Sequence, residues 1–515
     1  MPSADLVLKN ANVITLDPAQ PRARLVAVRD GRVWLVGSNE RLDEVQHAGT
    51  KTIDCQGRTL VPGFNDAHCH IFSLIRKLLS IDLSPAAVSS IADIKAIIAR
   101  KAEDTPPGQW IQGTDYSEFN LAEKRHPTRR DIDEVAPDHP VVLSHRSLHA
   151  CVLNSRALAL AGITRETPEP PGAMIDRDVS DGEPNGLLFE MVGHIREQVM
   201  PSWTDEELER GMALANREYL SRGITSLQDA TVVNDYRRWQ TFRRFIDARK
   251  LRSRIYMMLG AEAVAEFREA GLGFGDGDDR LRLGAVKIVP SNIAGQLHPP
   301  QPELNRMVLD MHRNGFQVAV HAVRESTVEA VIIAQEYVRS QSTGADRRHR
   351  IEHCAECPPH LLERLSRLGT VIATQPPFIY YSGDRYRAMV PAEQLKWLYR
   401  FKSFFDSGLV VAGSSDSPIV SNNPLMGIYS AVTRQSESGQ LLLPDEAITV
   451  EQALAAYTTN AAYASFEEGI KGSIAAGKLA DMVLLSDDPT ACPPEATKDI
   501  RVEMTISGGS VVWEA

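Results

Sequence analysis

The chain has 515 residues, 43% hydrophobic and 24% charged, which is ordinary for a folded globular protein and large enough to build a core without disulfide staples. Lys+Arg number 56 against 67 Asp+Glu, a net charge of −11, which excludes a non-specific nucleic-acid binder and a polybasic membrane contact, since both need a basic face. No run approaches the ~18 consecutive apolar residues of a membrane span and the N-terminus has no signal-peptide pattern, so the expected compartment is the cytoplasm, with the six sparse cysteines as reduced thiols.

Residues 1–61 are expected to be β-structure. "DLVLKNANVITLD", "RLVAVRDGRVWLVG" and "TIDCQGRTLVPG" are short apolar-alternating runs broken by Asn, Asp and Gly. Residues 466–515 repeat the style in "GSIAAGKLADMVLLSDDP" and "VEMTISGGSVVWEA", which predicts one small sheet domain built from both ends of the chain. Between them, short Val/Ile-rich runs alternate with amphipathic stretches. Strands are expected at Gly223–Ala230, Arg254–Leu259, Leu283–Val289, Phe316–Ala322, Arg350–Cys354, Thr370–Gln375 and Leu409–Ser414. Helices are expected at Asp205–Ser221, Glu303–Arg313 and Ser326–Arg339. This βαβα alternation predicts a parallel sheet, and for residues 62–465 a TIM barrel.

"VPGFNDAHCH" places His68 and His70 two apart, so on a strand end both imidazoles share one face. Paired neutral imidazoles suit a borderline cation such as zinc. Lys287 ends one expected strand, His321 the next after 34 residues, and His353 another after 32; Asp416 follows a strand 63 residues later. A βαβ unit takes about 30 residues or more, so these four groups fall at the carboxyl ends of successive strands, with one strand skipped before Asp416. In a parallel barrel that is the active-site face. The 217 residues from His70 to Lys287 exceed what three βα units need, which leaves room for an inserted α/β subdomain at about residues 80–200. Cys354 and Cys357 are expected as packing thiols. "GLGFGDGDD" lacks the Lys-Ser/Thr of a phosphate loop, and no G-x-S-x-G elbow occurs.

The chain resembles the amidohydrolase superfamily, and within it the family 3 branch that includes N-substituted formamide deformylases. The matching text includes "PGFNDAHCH", "HACVLNSRALALAGI", "GEPNGLLFE", "GAVKI", "VAVHA", "RIEHC", "GSSDSPIVSNNPLMGIYSAVTRQ" and "GSIAAGKLAD". The resemblance implies a β-sandwich from both termini, a distorted (β/α)8 barrel and one or two divalent cations, zinc foremost. By position it implies His68, His70 and Asp416 on the more buried cation, His321 and His353 on the more exposed one, and Lys287 bridging them after carboxylation by CO2. It also makes His149 a candidate substrate contact, with Glu190 a weaker one. The segments "VPSNIAGQLHPP" after Lys287 and "HAVRES" after His321 depart from the usual pattern; Gln296, His298 and Arg324 lie in them, and Gln296 is taken as a candidate substrate contact.

The expected activity is hydrolysis of a non-peptide C–N bond in a small-molecule substrate (a small amide, formamide or cyclic amide), with Asp416 as general base and then acid. The same centre is also compatible with deamination, ester or lactone hydrolysis, or a lyase step. A non-catalytic assembly role fits less well, because all six candidate ligands are present. No nucleic-acid or membrane partner is expected; a homodimer is.

Overall fold

The structure is a computed structural model and describes residues 3–170, 172–293, 295–342 and 346–515. The chain divides into two compact units, one of residues 1–71 with 216–515 and one of residues 72–215, the latter wider at both ends than the 80–200 insert expected.

The first unit is organised by one eight-stranded parallel sheet. Its strands are β1 (Phe64–Cys69), β2 (Ile224–Asp229), β3 (Arg254–Gly260), β4 (Leu281–Ile288), β5 (Val318–Ala322), β6 (Arg350–His353), β7 (Val371–Thr374) and β8 (Val411–Gly413), paired in sequence order. Seven of these were expected from sequence within two residues at each end. The sheet nearly closes on itself. Beyond β8 the chain returns to β1, where Cys69 bridges Ser417 in parallel fashion, the Asp416 N–H donates to the His68 carbonyl at 2.8 Å, and the His70 N–H donates to the Ser417 carbonyl at 2.8 Å. The strands are buried on both faces, as the apolar runs require.

Local chemistry punctuates the helices between strands. Asp235 caps helix Tyr236–Asp247 by accepting from the Arg238 N–H at 2.9 Å. Helices Gln301–Arg313 and Pro359–Leu368 both carry proline in their first two positions, where no backbone donor is missed. The second of these stops at Gly369, whose φ of +68° is left-handed and needs no Cβ.

Strand Thr59–Pro62, just before β1, belongs to a different sheet. It pairs in parallel with Asn12–Ile14 and antiparallel with Met482–Leu485, so both ends of the chain meet in one six-stranded sheet. A four-stranded sheet of N-terminal strands shares its core, which includes Leu8, Val26, Leu60, Met482 and Ile506. Arg254, at the start of β3, forks onto Asp481 through contacts of 2.6 and 3.0 Å, tying the barrel to the six-stranded sheet.

The unit of residues 72–215 holds its own six-stranded sheet, from Ile81–Asp82 at one edge to Met174–Arg177 at the other. Helix Ile91–Glu103 packs Ile91, Ile94 and Ile98 into its core, the i, i+3, i+7 stripe of an amphipathic helix. Among the described residues no helix is long and apolar enough to cross a membrane.

Candidate metal centre

The carboxyl ends of β1, β4, β5 and β6, and the segment after β8, carry the six side chains expected as ligands. His68 lies in the last turn of β1 and His70 immediately past it. Their ring centroids are 5.2 Å apart, and His68 is 4.9 Å from His353, which is 4.5 Å from His321. The Asp416 carboxylate approaches His70 Nε2 at 3.1 Å and His68 Nε2 at 3.5 Å. One donor atom from each of His68, His70 and Asp416 lies within 4.8 Å of the others, a spacing one cation can bridge. His68, Lys287, His353 and Asp416 are buried, whereas His321 is only half-buried. His353 is thus enclosed like His68 and Asp416 and stands between His68 and His321, while His70 is half-buried.

The hydrogen bonds behind these rings decide which nitrogen each presents. His68 donates from Nδ1 to Glu352 Oε2 at 2.5 Å, which leaves the Nε2 lone pair facing the centre. His353 Nδ1 meets Gln375 Oε1 at 2.8 Å. The orientation of that amide follows from its other end: Ser414 Oγ donates to the Thr374 carbonyl at 2.9 Å and so accepts from Gln375 Nε2 at 3.0 Å, which turns the Gln375 oxygen toward His353. His70 Nδ1 sits 3.1 Å from the Thr231 hydroxyl, a group able to donate or accept. His68 and His353 therefore commit Nδ1 to the protein and keep Nε2 for the centre, whereas His70 Nε2 meets Asp416 Oδ1 at 3.1 Å. A set of imidazoles with one carboxylate fits a borderline divalent cation.

Backbone conformation aims two of these residues. His353 has φ +74° and Asp416 φ +59°, left-handed values that non-glycine residues rarely adopt and that concentrate at functional sites.

Electrostatics reinforce the arrangement. Burial, then the charge of Lys287, pushes His68 well below its ordinary pKa, so the ring is neutral. Burial works to raise the Asp416 carboxyl, but the hydrogen bond from His70 and the neighbouring imidazoles outweigh it and hold it well below the usual carboxylate range. Desolvation brings the Lys287 ammonium down to about 8, against the opposing pull of Glu352 and Asp416.

Several residues that shape the centre carried no signal of their own in the sequence. Arg350 and Glu352 are both fully buried and pair at 2.7 Å; their i, i+2 spacing on a strand was the available clue, since it puts two charges on one face of a buried element. Asp66 anchors the segment after β8 by accepting from the Ser415 N–H at 2.9 Å and from its hydroxyl, and burial raises its carboxyl to about 6. Asp229 at the end of β2 accepts from Ile71 N–H (2.8 Å) and Thr231 N–H (3.0 Å), setting the turn that carries Thr231. The remaining candidates fall on the following elements. Gln296 is exposed on a hairpin of Ser291–Ile293 and Gln296–His298. Arg324 is the residue preceding helix Glu325–Gln341. His149 belongs to the 72–215 unit, where its Nδ1 meets Glu190 at 2.9 Å. Cys354 and Cys357 are buried free thiols, as expected.

A parallel eight-stranded barrel with imidazole and carboxylate donors gathered at the carboxyl ends of its strands defines a metal-dependent barrel hydrolase. The chain belongs to the amidohydrolase family, whose profile matches residues 51–513. It is 32% identical over 542 residues to an N-substituted formamide deformylase of Arthrobacter pascens, covering 99% of this chain and 98% of the relative. It is 28% identical to the putative amidohydrolase YtcJ of Bacillus subtilis, covering 96% of each. Its fold is shared with an uncharacterized metal-dependent hydrolase from Pyrococcus horikoshii, at a TM-score of 0.77, 24% identity, and coverage of 95% of this chain and 99% of that one.

Proposed function

We propose that this chain hydrolyses a carbon–nitrogen bond other than a peptide bond in a small amide, an N-substituted formamide or a cyclic amide. The observation that carries the proposal is the Asp416 carboxylate, ionised and set 3.1 Å from His70 Nε2 and 3.5 Å from His68 Nε2 at the barrel's carboxyl face. The full-length similarity to a formamide deformylase supports the substrate class.

In this reading His68, His70 and Asp416 would hold one divalent cation, zinc foremost, and His321 and His353 would hold a second. Such a cation supplies Lewis acidity toward a carbonyl oxygen and brings the pKa of water down to about 7. Asp416 takes the proton of the attacking water on its carboxylate and returns it to the departing nitrogen. Amines leave poorly unless protonated, so one carboxylate serving first as base and then as acid meets both needs. Lys287 titrates at about 8, so part of its amine is neutral near physiological pH. Addition of that amine to CO2, with a new N–C bond and release of one proton, would give a carbamate whose anionic oxygens could serve as ligands to the cations.

The test is a substrate panel run on zinc-loaded protein: N-formyl amines, N-acyl amino acids, cyclic amides, amino-substituted rings and lactones. Release of an amine with formate or another carboxylate, or ring opening of a cyclic amide, is expected. Turnover confined to lactones or to ring deamination would reject the C–N amide assignment while keeping the hydrolase class.

A further inference from the structure

Three buried or half-buried imidazoles of the centre, His68, His70 and His353, differ in what meets Nδ1. His70 meets a hydroxyl, Thr231, and His353 an amide oxygen, Gln375. Only His68 meets a carboxylate, Glu352, at 2.5 Å. That carboxylate is itself caged. Arg350 Nε donates to Glu352 Oε1 at 2.7 Å and its terminal nitrogen to Oε2 at 3.0 Å, while the same terminal nitrogen donates to the Ala67 carbonyl at 2.8 Å. Gln228 accepts from the other Arg350 nitrogen and donates to the Ala461 carbonyl at 2.7 Å. Ala67 is the residue before His68, so the guanidinium grips both the backbone next to the ring and the carboxylate behind it. Glu352 and Arg350 are both 0% exposed.

Stability alone does not call for this pair. Burying two charges costs about as much as their attraction returns, and apolar replacements of such pairs are often neutral or stabilising by roughly 1–4 kcal/mol. A carboxylate behind an imidazole does something an apolar group cannot: it fixes the Nδ1–H tautomer and makes Nε2 a stronger donor. We propose that Glu352, held by Arg350 and Gln228, is a positioning residue that makes His68, among His68, His70 and His353, the imidazole on which cation retention depends most. The proposal rests on the reading of His68 as a cation ligand. Thr231 and Gln375 steer His70 and His353 with neutral groups and contribute less.

The experiment compares the wild-type protein, Glu352→Gln, the double variant Arg350→Met/Glu352→Leu, and Thr231→Val. Each is measured for zinc affinity by chelator competition, for the 15N imidazole signals of His68 in the metal-free protein, and for thermal midpoint. The double variant removes both charges together, so its midpoint stays near wild type. Its zinc affinity falls by roughly 10–100-fold, the range seen when such outer partners are removed, and its His68 signals move away from the pure Nδ1–H tautomer. Glu352→Gln still accepts from Nδ1, so it keeps the tautomer and loses less affinity; Thr231→Val loses less than the double variant. A merely structural role would lower the midpoint and leave zinc affinity and tautomer unchanged, and that result overturns the proposal. Should the double variant not fold, unchanged zinc affinity in Glu352→Gln overturns it equally. A wild-type protein that binds no zinc overturns the metal centre itself, and the proposal with it; wild-type binding matched by the double variant overturns only the role of Glu352.

Discussion

The backbone N–H of Asp416 donates to the carbonyl of His68 at 2.8 Å. This bond joins the first barrel strand to the segment leaving the last, and it couples the placement of two candidate ligands to barrel closure itself. Two residues of chain, Ser414 and Ser415, separate the end of β8 from Asp416, and Asp66 holds that stretch through Ser415. The candidate general base is therefore fixed by backbone pairing and not by a free loop.

Replacing Asp416 should separate chemistry from fold. Asp and Asn are the side chains that best tolerate the left-handed φ of +59° found here, so Asp416→Asn keeps the local conformation. Turnover should fall by about 10²–10⁴-fold, the usual contribution of a positioned acid–base group, with the thermal midpoint of the metal-free protein little changed. Steady-state kinetics with denaturation curves on the same preparation checks this, and near-normal turnover would remove Asp416 from its role.

Metal removal should act on both activity and stability. Dialysis against a strong chelator should abolish turnover, and added zinc should restore it. A cation at 100 times its dissociation constant stabilises the folded state by about 2.7 kcal/mol, so the apo protein should melt earlier and recover with zinc. A midpoint indifferent to zinc across the titration would contradict a cation site in the folded barrel.

How much of this centre was legible beforehand follows from what a strand records. Lys287, His321 and His353 sit where the periodicity of buried strands places residues at carboxyl ends, and their intervals of 34 and 32 residues mark successive βα units. Glu352, Gln375 and Thr231 sit one or two residues from a strand end just as the ligands do, yet nothing local says which ring each will meet. Glu352 lies on β6 and serves His68 on β1, and only barrel closure brings those strands together. The left-handed turns at His353 and Asp416 were likewise invisible, because the residues that adopt them are not glycines. The two-sheet region built from both termini was easier to anticipate, since alternation alone marks its strands.

Stability should decline on the acid side through His349. Its Nδ1 accepts from the Val318 N–H at 3.0 Å, its Nε2 faces His312 Nδ1 at 3.0 Å, and burial, then His312 and Arg347, bring its pKa down to about 3. Unfolded, the ring titrates near 6.5. Between these values the unfolded chain binds a proton that the folded one refuses. The contribution is therefore whole above pH about 6.5 and is lost as pH falls toward 3, about 4–5 kcal/mol in all at roughly 1.36 kcal/mol per pKa unit. His349→Asn, which keeps an acceptor for Val318 but does not titrate, should flatten urea-derived stability between pH 4 and 6.5. An unchanged slope would show that other groups carry it.

The buried fork between Arg254 and Asp481 should be costly to break from one side. Both side chains are nearly inaccessible, at 2% and 5% exposure, and Asp481 also accepts from the Gly508 N–H at 2.7 Å. Asp481→Asn removes the buried counter-charge and leaves the guanidinium facing the partly exposed Asp279 at 3.4 Å, a change near the low end of the roughly 3–5 kcal/mol for breaking a buried pair from one side. Chemical denaturation should report that loss with the zinc affinity of the folded protein preserved; a loss under about 1 kcal/mol would mean that water reaches Arg254 in its place.

The central claim is that His68, His70 and Asp416 converge on one cation, and zinc-edge anomalous diffraction from zinc-loaded crystals tests it most directly. The account predicts a peak about 2.0–2.2 Å from His68 Nε2, His70 Nε2 and an Asp416 oxygen. Absence of a peak there at saturating zinc, or a peak held by other side chains while these three stay unliganded, would contradict it.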